Sequence, residues 1–322
     1  MFAVCGRPAN GAARVQRKRR AAILWRMRIL HVHAHFDDFE FVAAGTFEMW
    51  RRRAAARGEQ FRSRVVVCTD GKAGHQFRTR QATFEMRLKE QQESAKIGGY
   101  EFELLKLPNG QPPREACLLP SVELQAALWK SIRDFQPDYL FCPPVAADPL
   151  AGIHNDHVTV GEAVRRVAYM INVPHAYTPE YPADETRSEP VKTPVIVNCY
   201  DPYMFGLMGY DLAVDVEDAF ERLTRLTWCH QSQISEWLPW VGRHDMRAPE
   251  SVNDWAVQLR HRIERQNRSL GLPDGRAAEV FTVTAWGAVP TFEQLTQDFP
   301  NVISDEPHLQ RLRERLLRWK PA

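Results

Sequence analysis

The chain has 322 residues, with 44% hydrophobic and 25% charged side chains and a formal net charge of +2. That length can bury a sizeable core, as one large α/β domain or two small ones, and no stretch approaches the roughly 20 apolar residues of a membrane helix, which excludes a span. Residues 1–27 hold seven basic and no acidic side chains, leaving 35 basic against 40 acidic residues elsewhere, so the body gives no electrostatic case for binding nucleic acid.

In chain order, residues 1–26 read as a basic leader carrying "RVQRKRR", expected to be a disordered tail or to precede a true start at Met27. Its apolar run "AAILW" is shorter than the roughly 7–15 residues of a secretory signal core. "MRILHVHA" reads as the first buried strand and "AAGTFEMWRRRAAARG" as a helix stopped by Gly58. "SRVVVCTDG" is a second strand, "ATFEMRLKEQQESAKIGG" a second helix, and "YEFELLKLP" a third strand. "PSVELQAALWKSIRDFQ" is a third helix, "PDYLFCPP" a fourth strand, and "DHVTVGEAVRRVAYMI" a fourth helix. The alternation predicts an α/β fold, a Rossmann-like, mostly parallel sheet with helices on both faces. Beyond residue 172 the pattern weakens. "YTPEYPADETRSEPVKTP" reads as an exposed loop, "VIVNCY" and "RAAEVFTVTAW" as strands, and "DVEDAFERLTRLTWCHQSQISEWL" as a helix. The six cysteines form no CxxC pair, and Cys68 and Cys142 sit in apolar runs, a usage that suits a reducing cytoplasm.

The chemistry concentrates in two loops that follow strands one and four, where ligand crevices form in such sheets. "HVHAHFDDFEF" packs His31, His33, His35, Asp37, Asp38 and Glu40 into eleven positions. Burying so many charges needs partners, and a metal ion would satisfy most of them at once. A hydrolytic zinc site takes about three protein ligands, an open position and a nearby base. "HFDD" can supply two ligands and a base from one turn, and "HNDH", His154 to His157, a third ligand and another ionisable group. Spacing alone leaves open which of Asp37 and Asp38 binds metal. His31 and His33 lie within the strand and are expected to be hydrogen-bonded core or supporting residues. His230 in "TWCHQSQ" is expected on a polar helix face, the alternative being a place in the site or at a subunit interface. Trp228, Trp237, Trp240 and Trp255 are expected in core or interface packing rather than stacked on sugars. No P-loop, GxGxxG or GxSxG element is present.

These motifs resemble those of the PIG-L/LmbE-like zinc de-N-acetylases. "AHFDDFEFVAAGT" is similar to that family's (A/P)HPDD(x)E…GGT motif and "HNDH" to its HPDH motif. "TDGKAGH", "RLKEQQESAKIGGY", "DVEDAFERLTRLTWCHQSQ" and "AAEVF" are similar to its later segments, so the resemblance runs from about residue 28 to 285. It implies one deacetylase domain over 27–322 with a C-terminal helical and strand extension. It also implies Zn²⁺ held by His35, Asp38 and His157, with Asp37 as general base on the attacking water. His154, oriented by Asp156, would be a cation or acid for the leaving amine, and Arg87 a substrate contact. Phe36 and Asn155 stand where the family has Pro, and Ala44 where it has the first Gly. The usual late Lys is absent, with Arg222 and Arg225 nearby. The implied activity is cytoplasmic removal of an acetyl or related acyl group from a small amino-sugar conjugate, with self-association into a homo-oligomer left open. The rival expectations are a non-sugar amide hydrolase and a non-catalytic metal-binding protein, the latter opposed by the intact Asp37.

Overall fold

The run "RMRILHVH" is buried on both sides over its last five residues and forms β1 (Arg26–His33), an inner strand of the sheet. The computed structural model of the protein describes residues 26–146, 148–187, 190–204, 210–242, 246–303 and 306–320, so the expected basic leader, apart from Arg26, lies outside the described residues. The other described strands are β2 (Gln60–Val67), β3 (Glu101–Leu104), β4 (Tyr139–Cys142), β5 (Val195–Cys199), β6 (Leu212–Asp215) and β7 (Ala278–Val283). They form one sheet in the order β3-β2-β1-β4-β5-β7-β6. The strands β1 to β5 pair in parallel, and β7 runs antiparallel to both β5 and β6.

Helices cover both faces because successive side chains along each strand point to opposite sides. Ile29, Val65, Val67, Tyr139 and Phe141 pack with α2 (Ala44–Arg57), α6 (Phe220–Trp228) and α8 (Val252–Ser269). Leu30, Val32, Val66, Leu140 and Cys142 pack with α4 (Val122–Phe135) and α5 (Asn155–Met170). A short α1 (Asp38–Val42) follows β1, and α3 (Arg80–Gly98) joins β2 to β3.

The expected late helix from Asp215 is corrected in three places. Asp215 ends strand β6, α6 covers only Phe220–Trp228, and a π-helical turn at Ser232–Trp237 leads into α7 (Leu238–Gly242). Strand β6 and helices α8, α9 (Phe292–Asp298) and α10 (Glu306–Trp319) carry little sequence signal. β6 is a four-residue edge strand, and α8 buries only Trp255, Leu259 and Asn267 along 18 residues. Trp255, Leu259 and Ile263 in α8 and Leu309, Leu312 and Leu316 in α10 do recur at helical spacing and face the core, a narrow stripe among charged residues.

The topology places the crevice. From β1 the chain runs outward through β2 and β3, then returns to β4 on the other side of β1. The loops after β1 and β4 therefore face each other at the point where strand order reverses, the position where open parallel sheets bind ligands. Among the described residues no helix is long and apolar enough to cross a membrane. Cys68, Cys117, Cys142, Cys199 and Cys229 are all free thiols.

Candidate active site

The β1 loop turns sharply at Asp37, whose φ of 86° is in the region few side chains other than Asn and Asp tolerate. Packing holds this turn where the family uses Pro. The buried Phe36 ring lies against Gly71, where a Cβ would approach it to 2.3 Å, and the Arg87 guanidinium sits 5.6 Å above the same ring. The Asp37 amide donates to Gln91 Oε1 at 3.1 Å. The backbone of Asp37 is thus fixed and its carboxylate turns into a cavity of about 320 Å³, which His35, Asp38, Arg87, His154 and His157 also line.

Ligand atoms of three side chains converge at the wall of this cavity. His35 Nδ1 is 3.2 Å from His157 Nε2 and 3.3 Å from Asp38 Oδ2, and His157 Nε2 is 3.4 Å from Asp38 Oδ1. Bonds of about 2.0–2.1 Å to a tetrahedral zinc put neighbouring ligands about 3.3 Å apart, and the two histidine nitrogens lie that far from each other and each from a different oxygen of Asp38. The far ring nitrogens are taken up by carboxylates. His35 Nε2 lies 3.2 Å from Asp156 Oδ2, and His157 Nδ1 lies 3.0 Å from Asp201 Oδ2. Each carboxylate accepts the N–H of the far nitrogen, so that once a metal displaces the near proton the near nitrogen offers its lone pair, the arrangement metal-binding histidines use. His154 with His35 and His157, and His33 with Asp38 and His157, also bring ligand atoms within 4.8 Å of one another.

The electrostatics favour positive charge here. Burial lowers the basicity of His35, but the Asp38 charge and the Asp156 bond outweigh it and raise its pKa to about 10. The same contest raises His157 to about 9, through Asp38 and Asp201. Burial opposes ionisation of Asp38, yet His33, His157 and His35 hold its pKa well below the ordinary value. Asp37 differs from its neighbour. Burial raises it to about 6 despite Arg87, whose Nη2 is 3.3 Å from Asp37 Oδ1.

Two expected roles are corrected. Asp156 does not orient His154. It is fully buried, contacts His35, and accepts from the amides of Ala116 and Leu118 at 2.6 and 3.2 Å. His154 Nδ1 is buried without a hydrogen-bond partner, and burial, then His35 and His157, lower its pKa to about 4, so the resting ring is neutral rather than cationic. Arg87 lines the cavity, but its Nη groups are committed to protein atoms: Glu115 Oε1 at 2.7 Å, Phe36 O at 2.8 Å and Asp37. It holds Asp37 in place as much as it faces any substrate.

Other expectations divide. His33 Nδ1 lies 2.5 Å from Asp38 Oδ2, a supporting contact. His31 is fully buried with neither ring nitrogen hydrogen-bonded, stacked 5.5 Å from His33. His230 is not on a polar face: it is fully buried, 3.4 Å from Glu40 Oε1. Trp255 is a core residue, whereas Trp237 lines the cavity and stacks on the half-exposed Trp240.

The family model described as PIG-L: GlcNAc-PI de-N-acetylase matches residues 30–168. Over these residues the chain is similar to the PIG-L family. The PIG-L segment holds both clusters of the site, and the segments around His230 and Glu279 lie beyond it. No curated protein matches the sequence. The fold is similar to N,N'-diacetylchitobiose deacetylase from Pyrococcus horikoshii complexed with its inhibitor MPG, at 20% identity over 80% of this chain and 84% of that one, with a TM-score of 0.58. It is also similar to conserved protein TT1542 from Thermus thermophilus, at 20% identity over 79% and 93%, TM-score 0.54. A third similar structure is GalB, the 4-carboxy-2-hydroxymuconate hydratase from Pseudomonas putida, at 16% identity over 80% and 95%, TM-score 0.52.

Sequence reasoning missed Asp201, Glu115, Tyr203, Gln91 and Gln233. Asp201 had a usable signal, since it follows "VIVNC" at the carboxyl end of a strand next to β4. Glu115 sits in the irregular loop "QPPREACLLP", where nothing marks it.

Proposed function

We propose that the protein is a zinc-dependent hydrolase that removes an N-acetyl or related acyl group from an amino-sugar conjugate. The observation that carries this reading is the different setting of two adjacent aspartates: Asp38 is among the converging ligand atoms, while Asp37 faces the cavity with its pKa raised to about 6. His35, Asp38 and His157 would hold the ion, and Zn²⁺ bound there would supply Lewis-acid polarisation of the acyl carbonyl and acidify water.

The protein groups supply the proton traffic. Asp37, ionised above about pH 6, takes a proton from water as its oxygen bonds to the acyl carbon. When the C–N bond breaks, the same proton passes from Asp37 to the leaving nitrogen, and the products are a free amine and a carboxylate. Arg87 keeps the Asp37 carboxylate aimed during both transfers. His154 lines the same cavity, and with a pKa of about 4 it takes a proton only transiently. Trp237 and Tyr203 add aromatic wall suited to the apolar face of a sugar ring.

Zinc-loaded protein should release primary amine from at least one member of a panel of N-acetylated sugars and glycoconjugates. Release only from non-sugar amides would move the substrate class, and no release from any acyl amine would refute the hydrolase reading.

A further inference from the structure

Helix α3 carries two buried side chains that hold Asp37, Arg87 and Gln91. They stand four residues apart, so both leave the same face of the helix. Arg87 meets the Asp37 carboxylate, whereas Gln91 meets the main chain from which that carboxylate projects.

Gln91 is fully buried and its amide is engaged at both ends. Nε2 donates to Glu40 Oε1 at 2.9 Å and to the Tyr100 hydroxyl at 2.7 Å, while Oε1 accepts the Asp37 N–H at 3.1 Å. An ionised carboxylate only accepts and a main-chain N–H only donates, so turning the amide over would set like against like at both ends. Glu40 anchors the group, since the same oxygen also accepts from Ser94 Oγ–H and Tyr100 Oη–H at 2.5 and 2.6 Å. Its own N–H donates to Asp37 O at 3.0 Å, which ties the far side of the Asp37 residue to the same group. Asp37 needs such a hold. A φ of 86° is unfavourable for a residue with a side chain and persists only where the surroundings over-determine it. Gln91 does not line the cavity, so any effect it has on chemistry passes through Asp37.

We propose that Gln91 is a positioning residue, which by accepting the Asp37 N–H keeps the base turned into the cavity, with Glu40 and Tyr100 orienting the Gln91 amide in turn. The kinetic consequence rests on the hydrolase reading above; the hold on the Asp37 backbone does not.

The test pairs hydrogen exchange with kinetics on the zinc-loaded full chain. In Gln91→Leu the Asp37 amide should exchange about ten-fold or more faster than in the wild type, while the interior amides of α3 keep their protection. The same variant should hold about one zinc per chain. Its kcat should fall about ten-fold or more at unchanged KM, because a small misplacement of a reacting group is costly. Gln91→Glu, buried beside Glu40 and therefore protonated, keeps an acceptor for Asp37 and a donor for Glu40 and should recover most of the loss. In an Asp37→Asn background Gln91→Leu should slow turnover little further, whereas a general structural defect would slow both backgrounds equally. Should Gln91→Leu not fold, Tyr100→Phe, which leaves the Gln91 packing in place, should show a smaller loss with the same dependence on Asp37. Unchanged exchange at Asp37, an equal loss in the Asp37→Asn background, or no recovery in Gln91→Glu overturns the proposal. A protein that hydrolyses no acyl amine, yet shows the Gln91-dependent exchange at Asp37, would refute the proposed function and leave the hold on Asp37 standing.

Discussion

At the scale of single residues, the site is organised by which nitrogen of each histidine meets a carboxylate. Asp156 and Asp201 occupy the outer nitrogens of His35 and His157, so the inner ones face each other across 3.2 Å. In metal-free protein the surrounding carboxylates raise these two rings to about 10 and 9. Both are above the ordinary histidine value, so their protons stabilise the metal-free fold fully below about pH 6.5, and that contribution is lost as pH climbs through about 9 to 10. Zinc must displace the same protons, so its affinity should rise with pH across the neutral range. Calorimetric zinc titrations at pH 7 in buffers of different ionisation enthalpy should show about one to two protons released per ion. Zero release would mean that His35 and His157 do not bind the metal.

At the scale of elements, helix α2 begins at Ala44 behind Ala43, which offers no side-chain cap. Glu279 on β7 takes that role from 234 residues away: Oε1 accepts from Gly45 N–H at 2.8 Å and Oε2 from Thr46 N–H at 2.7 Å. Gly45 is required by the close approach, since a Cβ there would sit 2.9 Å from Glu279 Oε1 and 2.8 Å from Val216 Cβ. Losing a buried partner costs about 1–3 kcal/mol for each donor left unsatisfied. Glu279→Ala should therefore lower Tm by several degrees, and Glu279→Gln, which keeps one acceptor, by less. An unchanged Tm for Glu279→Ala would show that the cap contributes nothing. The sequence motifs meet in pairs of this kind. Glu40 of the first motif lies 3.4 Å from His230, and Glu90 accepts from Ser232 N–H and Oγ–H at 2.7 and 2.6 Å. Each late segment was readable only as a weak pattern because its meaning is a contact across more than a hundred residues.

At the scale of the whole molecule, the five parallel strands and their helices were legible because long apolar runs alternate with periodic segments. The last third was read less fully: β6 is only four residues long, and the apolar stripes of α8 and α10 are narrow among many charged residues. The ligand-bearing loops were legible from residue chemistry, while the tasks of Asp156, Arg87 and His230 depended on neighbours that spacing does not reveal. Fold alone does not select the reaction, since similar structures include both a deacetylase and a hydratase, so the claim rests on the division of labour between Asp37 and Asp38. The most direct test is amine released per bound zinc by the Asp37→Asn variant, with Asp38→Ala prepared alongside. Asn is nearly isosteric with Asp and tolerates the positive φ at this position. Asp37→Asn should hold about one zinc per chain and release amine roughly 10²–10⁴-fold more slowly than the wild type, while Asp38→Ala should lose the metal. Full turnover by Asp37→Asn, or loss of zinc from it while Asp38→Ala retains the ion, would contradict the account.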